Sequence, residues 1–312
     1  MRGKVSEKLT EFLSQVAIGA QEAQAQGVVI TPELTRANLE KLAAFIPQGP
    51  DIALVKDSQF VLADREIKAR IYHPSPDEAL PVLLHFHGGG HMCGSLGLYD
   101  SASRQLAISA QAIVITVDYR LSPEFPYPCG IDDCQYALAN YHDLLTDLNH
   151  SNTLYIAGDS AGGAICTTLV MNNIQTLQVT IDKQILIYPS VDYTLSAASV
   201  EENGAGFLLE KSKVLWYFNA YFGEKYQDDA FVKNASPLYG PMNSSMPETL
   251  IITAGCDPLR DEGNAYASAL KKLGVKVTHH QFDDMIHAYM LLQSLVVDEC
   301  DETYQLIRQF VR

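Results

Sequence analysis

Leu154-Tyr155-Ile156-Ala157-Gly158-Asp159-Ser160-Ala161-Gly162-Gly163-Ala164 reads as a strand, a sharp turn and the start of a helix. An apolar run precedes the turn and a small-residue helical pattern follows it. G-x-S-x-G between a strand and a helix is the nucleophile-elbow arrangement. The turn predicts a serine with positive φ. The flanking glycines are expected because a Cβ at either position would strike the neighbouring strand or helix. Such a turn lifts the Ser160 hydroxyl clear of a sheet and sets it at a helix N-terminus, where backbone N–H groups favour developing negative charge.

On either side of this turn, apolar runs alternate with helical segments. Phe60-Val61-Leu62 leads into Ile67, Ala69 and Ile71, which alternate with polar residues as in a half-exposed sheet. Residues 81–86 and 113–117 are the continuous apolar kind, buried on both faces of a parallel sheet. Residues 154–157, 185–187, 249–253 and 275–278 continue the series. Helices are predicted near 99–110, 130–147 and 289–310, and from Ala161 onward. The fold class is α/β: an open, mostly parallel central sheet with helices on both faces.

Two regions fall outside that alternation. Residues 4–26 carry a loose helical period in Val5, Leu9, Phe12, Leu13 and Val16. Thr31-Pro32-Glu33-Leu34 opens a second helix, with Thr31 as N-cap and Pro32 in the first turn. Residues 195–235 are rich in aromatics, including Phe207-Leu208-Leu209, Trp216-Tyr217-Phe218 and Tyr221-Phe222. The expected organisation is N-terminal cap helices over 1–50, a core of 51–194 and 236–312, and a helical cap insertion over 195–235. Phe207, Leu208, Leu209, Trp216 and Tyr217 are candidate walls of a substrate pocket on aromatic density alone.

Composition narrows the function. The chain has 312 residues, 47% hydrophobic, and a formal net charge of -15. No basic stripe exists to displace counterions from nucleic acid, and the acidic balance disfavours an anionic membrane surface. No window of about eighteen apolar residues predicts a transmembrane helix, and the N-terminus lacks a signal-peptide core. Six cysteines, at 93, 129, 134, 166, 256 and 300, show neither metal-ligand nor disulfide-framework spacing. They point to free thiols, a reducing cytoplasm and no metal.

A serine is a weak nucleophile until a base and an orienting carboxylate stand beside it. Behind an elbow serine they follow in the order acid, then histidine. Of the histidines after Ser160, His279 and His280 lie in the last predicted strand, and His287 lies in the loop after it. His287 is therefore the candidate base. Asp257, just past the strand ending at Thr253, is the candidate orienter, with Asp261 and Glu262 assigned to the first turn of the next helix. His87-Gly88-Gly89-Gly90 follows a buried strand. Three glycines there are hard to explain by packing, and an oxyanion hole needs backbone N–H groups with no side chain in the way. Gly88 and Gly89, with Ala161 after the serine, are the expected donors.

Together these residues resemble the hormone-sensitive-lipase-like carboxylesterases of the α/β-hydrolase superfamily. The likeness rests on His87–Gly90, on Gly158–Gly163, on Asp257-Pro258-Leu259-Arg260-Asp261-Glu262-Gly263 and on His287. Asp118-Tyr119-Arg120-Leu121-Ser122-Pro123-Glu124, followed by Phe125-Pro126-Tyr127-Pro128, is similar to a further family segment. The resemblance covers about residue 55 to the C-terminus. It implies a capped hydrolase with a Ser160–His287–Asp257 triad that cleaves short- to medium-chain acyl esters with no cofactor, and it is compatible with a homodimer. His91 stands where the family has an aromatic or bulky apolar residue, which makes it a further candidate for the pocket wall. Ser122 replaces an alanine.

The same triad would serve an amidase, formamidase or peptidase. A third reading is a non-catalytic small-molecule receptor on a hydrolase fold. Burst release of p-nitrophenol or phosphonate labelling of Ser160 separates the receptor from the enzymes.

Overall fold

The computed structural model describes residues 1–176 and 179–312. Eight strands form its sheet: β1 (Leu54–Val61), β2 (Glu66–His73), β3 (Leu80–Phe86), β4 (Ile113–Asp118), β5 (His150–Asp159), β6 (Lys183–Ile187), β7 (Glu248–Cys256) and β8 (Val277–Ile286). Their spatial order is β1-β2-β4-β3-β5-β6-β7-β8. β1 pairs β2 and β2 pairs β4 antiparallel; every later pairing is parallel.

Between and around the strands lie α1 (Thr10–Ala25), α2 (Pro32–Glu40), α3 (Asp100–Ala110), α4 (Cys129–Asn140), α5 (Ala161–Thr176), α6 (Ala198–Glu202), α7 (Lys211–Phe222), α8 (Asp229–Ala235), α9 (Arg260–Lys272) and α10 (Val297–Val311). Strand alternation divides the core into two layers. Val82, Leu84, Ile113, Ile115, Ile156 and Ile251 pack with Ile131 and Leu138 of α4, Leu169 of α5 and Leu270 of α9. Leu83, Val114, Tyr155, Ile185 and Ile252 face the other way, onto Leu106 of α3 and Ile307 and Phe310 of α10. Helices therefore cover both faces, as the alternation of runs predicts.

α1 buries none of its own residues, though Phe12 and Leu13 rest on the second layer beside the fully buried Leu9. Thr31 caps α2 by accepting the Leu34 N–H at 3.2 Å, and Pro32 occupies the first turn. α6, α7 and α8 occupy the aromatic stretch after residue 195, where Val214, Tyr217, Phe218, Tyr221 and Phe222 form a separate cluster with Met92 and Tyr193.

Two elements differ from expectation. β8 runs far past residue 278, through a polar stretch whose burial shows no alternation. The final helix begins at Val297, with only a short 3-10 turn at Tyr289–Leu291 before it. Tyr289, Met290, Leu291 and Leu292 are buried without a polar face, so they serve as an apolar plug instead of an amphipathic first turn. Among the described residues no helix is long and apolar enough to cross a membrane.

Candidate active site

Parallel strands deliver the site. Ser160 is the residue directly after β5, Asp257 directly after β7 and His287 directly after β8, while Gly88–Gly90 follow β3. All four strands run the same way, so their C-terminal ends share one edge of the sheet.

The elbow adopts the strained geometry that its glycines anticipate. Ser160 has φ 52°. A Cβ on Gly162 would sit 1.8 Å from the Phe86 carbonyl oxygen, and one on Gly158 would sit 2.3 Å from Gly162. Holding a non-glycine residue at positive φ costs roughly 1–2 kcal/mol, which the surrounding bonds must offset. The Ser160 N–H donates to the Ile187 carbonyl at 2.9 Å, and its carbonyl accepts from the Ser190 N–H at 3.0 Å.

The three polar side chains then meet. His287 Nε2 lies 2.9 Å from Ser160 Oγ, and His287 Nδ1 lies 2.7 Å from Asp257 Oδ2. Asp257 is fully buried and its Oδ1 accepts the Leu259 N–H at 2.8 Å. The His287 ring rests against Tyr188, with centroids 4.9 Å apart. His279 and His280 are elsewhere: His279 Nε2 is 3.1 Å from Thr253 Oγ1 and His280 is 3.8 Å from Glu302.

The glycine loop differs from expectation at one position. The Gly88 N–H does not face Ser160; it donates to Asp159 Oδ1 at 2.8 Å, and a Cβ on Gly88 would lie 2.4 Å from Asp159 Oδ2. Gly88 is thus spent in fixing the loop. Gly89 and Gly90, at φ 116° and 64°, have N–H groups with no hydrogen-bond acceptor among the described residues. The Ala161 N–H, in the first turn of α5, is likewise without an intrahelical partner.

A family model described as the alpha/beta hydrolase fold matches residues 83–291. The chain belongs to the α/β-hydrolase fold family. It is 32% identical to "Carboxylic ester hydrolase LipN" of Mycobacterium tuberculosis over 88% of this chain and 74% of that protein. It is 33% identical to "Ethyl acetate hydrolase" of Pseudomonas putida over 76% of this chain and 75% of that protein. Among solved structures, the hyperthermophilic esterase of Pyrobaculum calidifontis superposes with a TM-score of 0.85 at 29% identity, over 99% of this chain and 98% of that one. The ester-hydrolase EH1AB1 from the Lake Arreo metagenome, complexed with a bipyridine phosphonate derivative, gives 0.87 at 29% identity over 98% of each chain. These likenesses place the hydrolase in the hormone-sensitive-lipase-like branch that its motifs resemble.

Residues that sequence reading passed over hold this hydrolase's site together. Asp159 is buried and bonded to both Gly88 and the Tyr99 hydroxyl, which donates to Oδ2 at 2.9 Å. Burial pushes its carboxyl up to about 6, against the pull of those two donors. The folded state therefore holds this proton more tightly than the unfolded chain does. Its contribution to stability is complete below the ordinary carboxyl range and is lost as pH rises through about 6, a change on the order of 3 kcal/mol. Asp159→Asn keeps an oxygen for Gly88 and removes the ionisation. Melting curves taken at pH 5 and pH 8 should show the variant gaining on the unmodified hydrolase at the higher pH; a gap that does not change with pH contradicts this.

Glu262 lies in the first turn of α9, as expected, yet it is buried. Its Oε1 accepts the Val191 and Asp192 N–H groups at 2.7 and 3.1 Å, and burial drives its carboxyl well above the usual range. It pins the loop after β6. Asn203 is fully buried and donates to the carbonyls of Gly255 and Asp257, both at 3.1 Å, while accepting the Gly3 N–H. None of these contacts leaves a local sequence signature.

The candidate pocket residues fall in two places. Phe207 is buried in the second core layer with the Arg2 guanidinium 4.3 Å above its ring, and Leu208 packs against the same layer. Leu209, Trp216 and Tyr217 join the α7 aromatic cluster. Tyr217 lies over the glycine loop, so close that a Cβ on Gly90 would be 2.6 Å from its ring. His91 is enclosed: its ring stacks on Tyr221 at 3.8 Å, Nε2 is 3.2 Å from the Tyr193 hydroxyl, and burial lowers its pKa to about 3. A neutral imidazole there packs as an aromatic residue would. Among the described residues no group of three or more His, Cys, Asp or Glu is placed to hold a metal ion.

Proposed function

We propose that this carboxylic ester hydrolase works through an acyl-enzyme at Ser160 and acts on short- to medium-chain acyl esters. The observation that carries the reading is the continuous chain from Ser160 Oγ through both ring nitrogens of His287 to Asp257, at 2.9 and 2.7 Å. The relatives named as ester hydrolases support the choice of an ester over an amide.

In this mechanism the Ser160 hydroxyl gives its proton to His287 Nε2 as Oγ bonds to the ester carbonyl carbon. Asp257 accepts from the Nδ1–H and steadies the resulting imidazolium. The carbonyl oxygen becomes an oxyanion facing the N–H groups of Gly89, Gly90 and Ala161, each worth on the order of 3 kcal/mol of barrier. As the C–O bond to the alcohol breaks, His287 returns its proton to the departing oxygen. A water molecule, deprotonated by the same nitrogen, then attacks the acyl carbon and frees Ser160.

The helices of residues 1–50 and 195–235 serve as the cap, and Leu209 and Trp216 shape the acyl site. The test is a series of p-nitrophenyl esters from acetate upward, run beside matching aryl amides. Esters of short or medium chain should be preferred, and Leu209→Ala and Trp216→Ala should move the optimum toward longer chains by changing kcat/KM about 10-fold. Faster cleavage of the amides would sink the ester reading, and an unchanged optimum in both variants would remove the two side chains from the acyl site.

A further inference from the structure

The segment Gly89–His91 holds three successive residues at positive φ: 116°, 64° and 58°. The glycines tolerate this freely, but His91 does not, and a non-glycine residue relaxes out of the left-handed region unless its surroundings prevent it. Something must therefore hold the downstream end of the loop whose N–H groups are the oxyanion donors.

Two kinds of bond do so. His91 carbonyl oxygen accepts both the N–H and the Oγ–H of Ser122, at 2.8 and 3.0 Å, which ties the glycine loop to the segment after β4. Across the outside of this junction lies one side chain from the N-terminal region. Arg36 of α2 donates from Nε to the Met92 carbonyl at 2.9 Å and from Nη2 to the Ser122 carbonyl, also at 2.9 Å. Glu124 receives the guanidinium from Nη1 at 2.8 Å and from Nη2. One turn later on α2, Glu40 accepts the Ser95 hydroxyl at 2.9 Å, so two successive turns of the helix grip the same stretch.

We propose that Arg36 is a positioning residue for turnover: by bridging the Met92 and Ser122 carbonyls it holds His91 in its strained conformation and so keeps the Gly89 and Gly90 N–H groups aimed at the oxyanion. This rests on the assignment of those two groups as donors. A planar fork suits this site because three separate nitrogens reach two carbonyls on different segments and the Glu124 carboxylate at once, whereas a lysine would have to serve all of them from one nitrogen. Glu124 matters less, since it only neutralises a pair that is partly exposed.

The test compares Arg36→Ala, Arg36→Lys and Glu124→Gln with the unmodified protein for kcat, KM and melting temperature on p-nitrophenyl butyrate, with and without millimolar methylguanidinium. Misaimed donors should lower kcat about 30-fold in Arg36→Ala and about 10-fold in Arg36→Lys, with KM within about threefold. Methylguanidinium should restore part of the loss in Arg36→Ala, and Glu124→Gln should stay within about twofold of the unmodified kcat. A folded Arg36→Ala with an unaltered kcat overturns the proposal, as does a loss confined to melting temperature or to KM. If the alanine variant does not fold, an Arg36→Lys enzyme with full kcat overturns it equally. Phosphonate labelling keeps the two ideas apart: turnover by the unmodified enzyme without labelling at Ser160 defeats the acyl-enzyme mechanism. A labelled Ser160 with an indifferent Arg36 defeats the positioning role alone.

Discussion

Ser160→Ala should lower kcat by about 10⁵-fold, on the order of 7 kcal/mol of barrier, and leave the melting temperature unchanged. The chemical loss is total for the covalent route, because no other hydroxyl takes up the 2.9 Å contact with His287 Nε2 among the described residues. What survives is the background that binding and the backbone donors supply without a nucleophile. The fold is spared for a structural reason. The Ser160 side chain contributes one hydrogen bond, while the bonds that hold its backbone at φ 52° come from Ile187, Ser190 and Ala164 and do not involve Oγ. Alanine keeps the Cβ and those bonds. Paired p-nitrophenyl butyrate assays and calorimetry check both halves; a kcat within about tenfold of the unmodified enzyme would remove Ser160 from the chemistry.

Asp257→Asn should cost about 10⁴-fold in kcat with little change in KM. The direction follows from how the carboxylate is already used. Oδ1 accepts the Leu259 N–H at 2.8 Å, and Oδ2 faces His287 Nδ1 at 2.7 Å. In the amide the oxygen is retained at the Leu259 site, so the NH₂ group turns toward the imidazole. Two donors cannot face each other, so His287 must carry its proton on Nε2, where it points at Ser160 and no longer accepts. The isosteric change leaves packing intact, so the melting temperature should move by only a few degrees, as for other conservative substitutions of under about 1 kcal/mol. An Asp257→Asn enzyme within tenfold of normal would mean that the carboxylate does not set the tautomer.

The fold was legible to the extent that burial leaves a periodic trace. Residues 81–86 and 113–117 are strands that packing covers on both faces, and unbroken apolar runs of that length have few other readings. β8 outruns its apolar signal because Thr278-His279-His280-Gln281 carries no apolar alternation; an edge strand gains its place from pairing with β7. The strand order, with β4 lying between β2 and β3, is a matter of how the crossovers pack and is not written in any one segment.

At the site, Ser160 and Asp257 could be picked out because each stands just past a recognisable strand, and His287 because it is the histidine in the loop beyond the last apolar run. The division of labour in the glycine loop could not. Which N–H turns inward depends on φ at Gly89 and Gly90 and on a carboxylate, Asp159, that captures Gly88 from 71 positions away in the chain. The roles of Arg36, Asn203 and Glu262 are invisible for the same reason: their partners are mainly backbone groups brought near by folding, and a backbone carbonyl or N–H has no residue identity to read.

The central claim is a covalent acyl group on one serine, and rapid-quench intact-mass spectrometry with p-nitrophenyl butyrate tests it most directly. In the first turnover the account predicts a burst of about one p-nitrophenol per chain. It also predicts a chain heavier by one butyryl group, with the added mass on the peptide that contains Ser160 and absent from Ser160→Ala. Steady turnover with no mass increment, trapped at low pH or otherwise, or an increment that persists in Ser160→Ala, would contradict it.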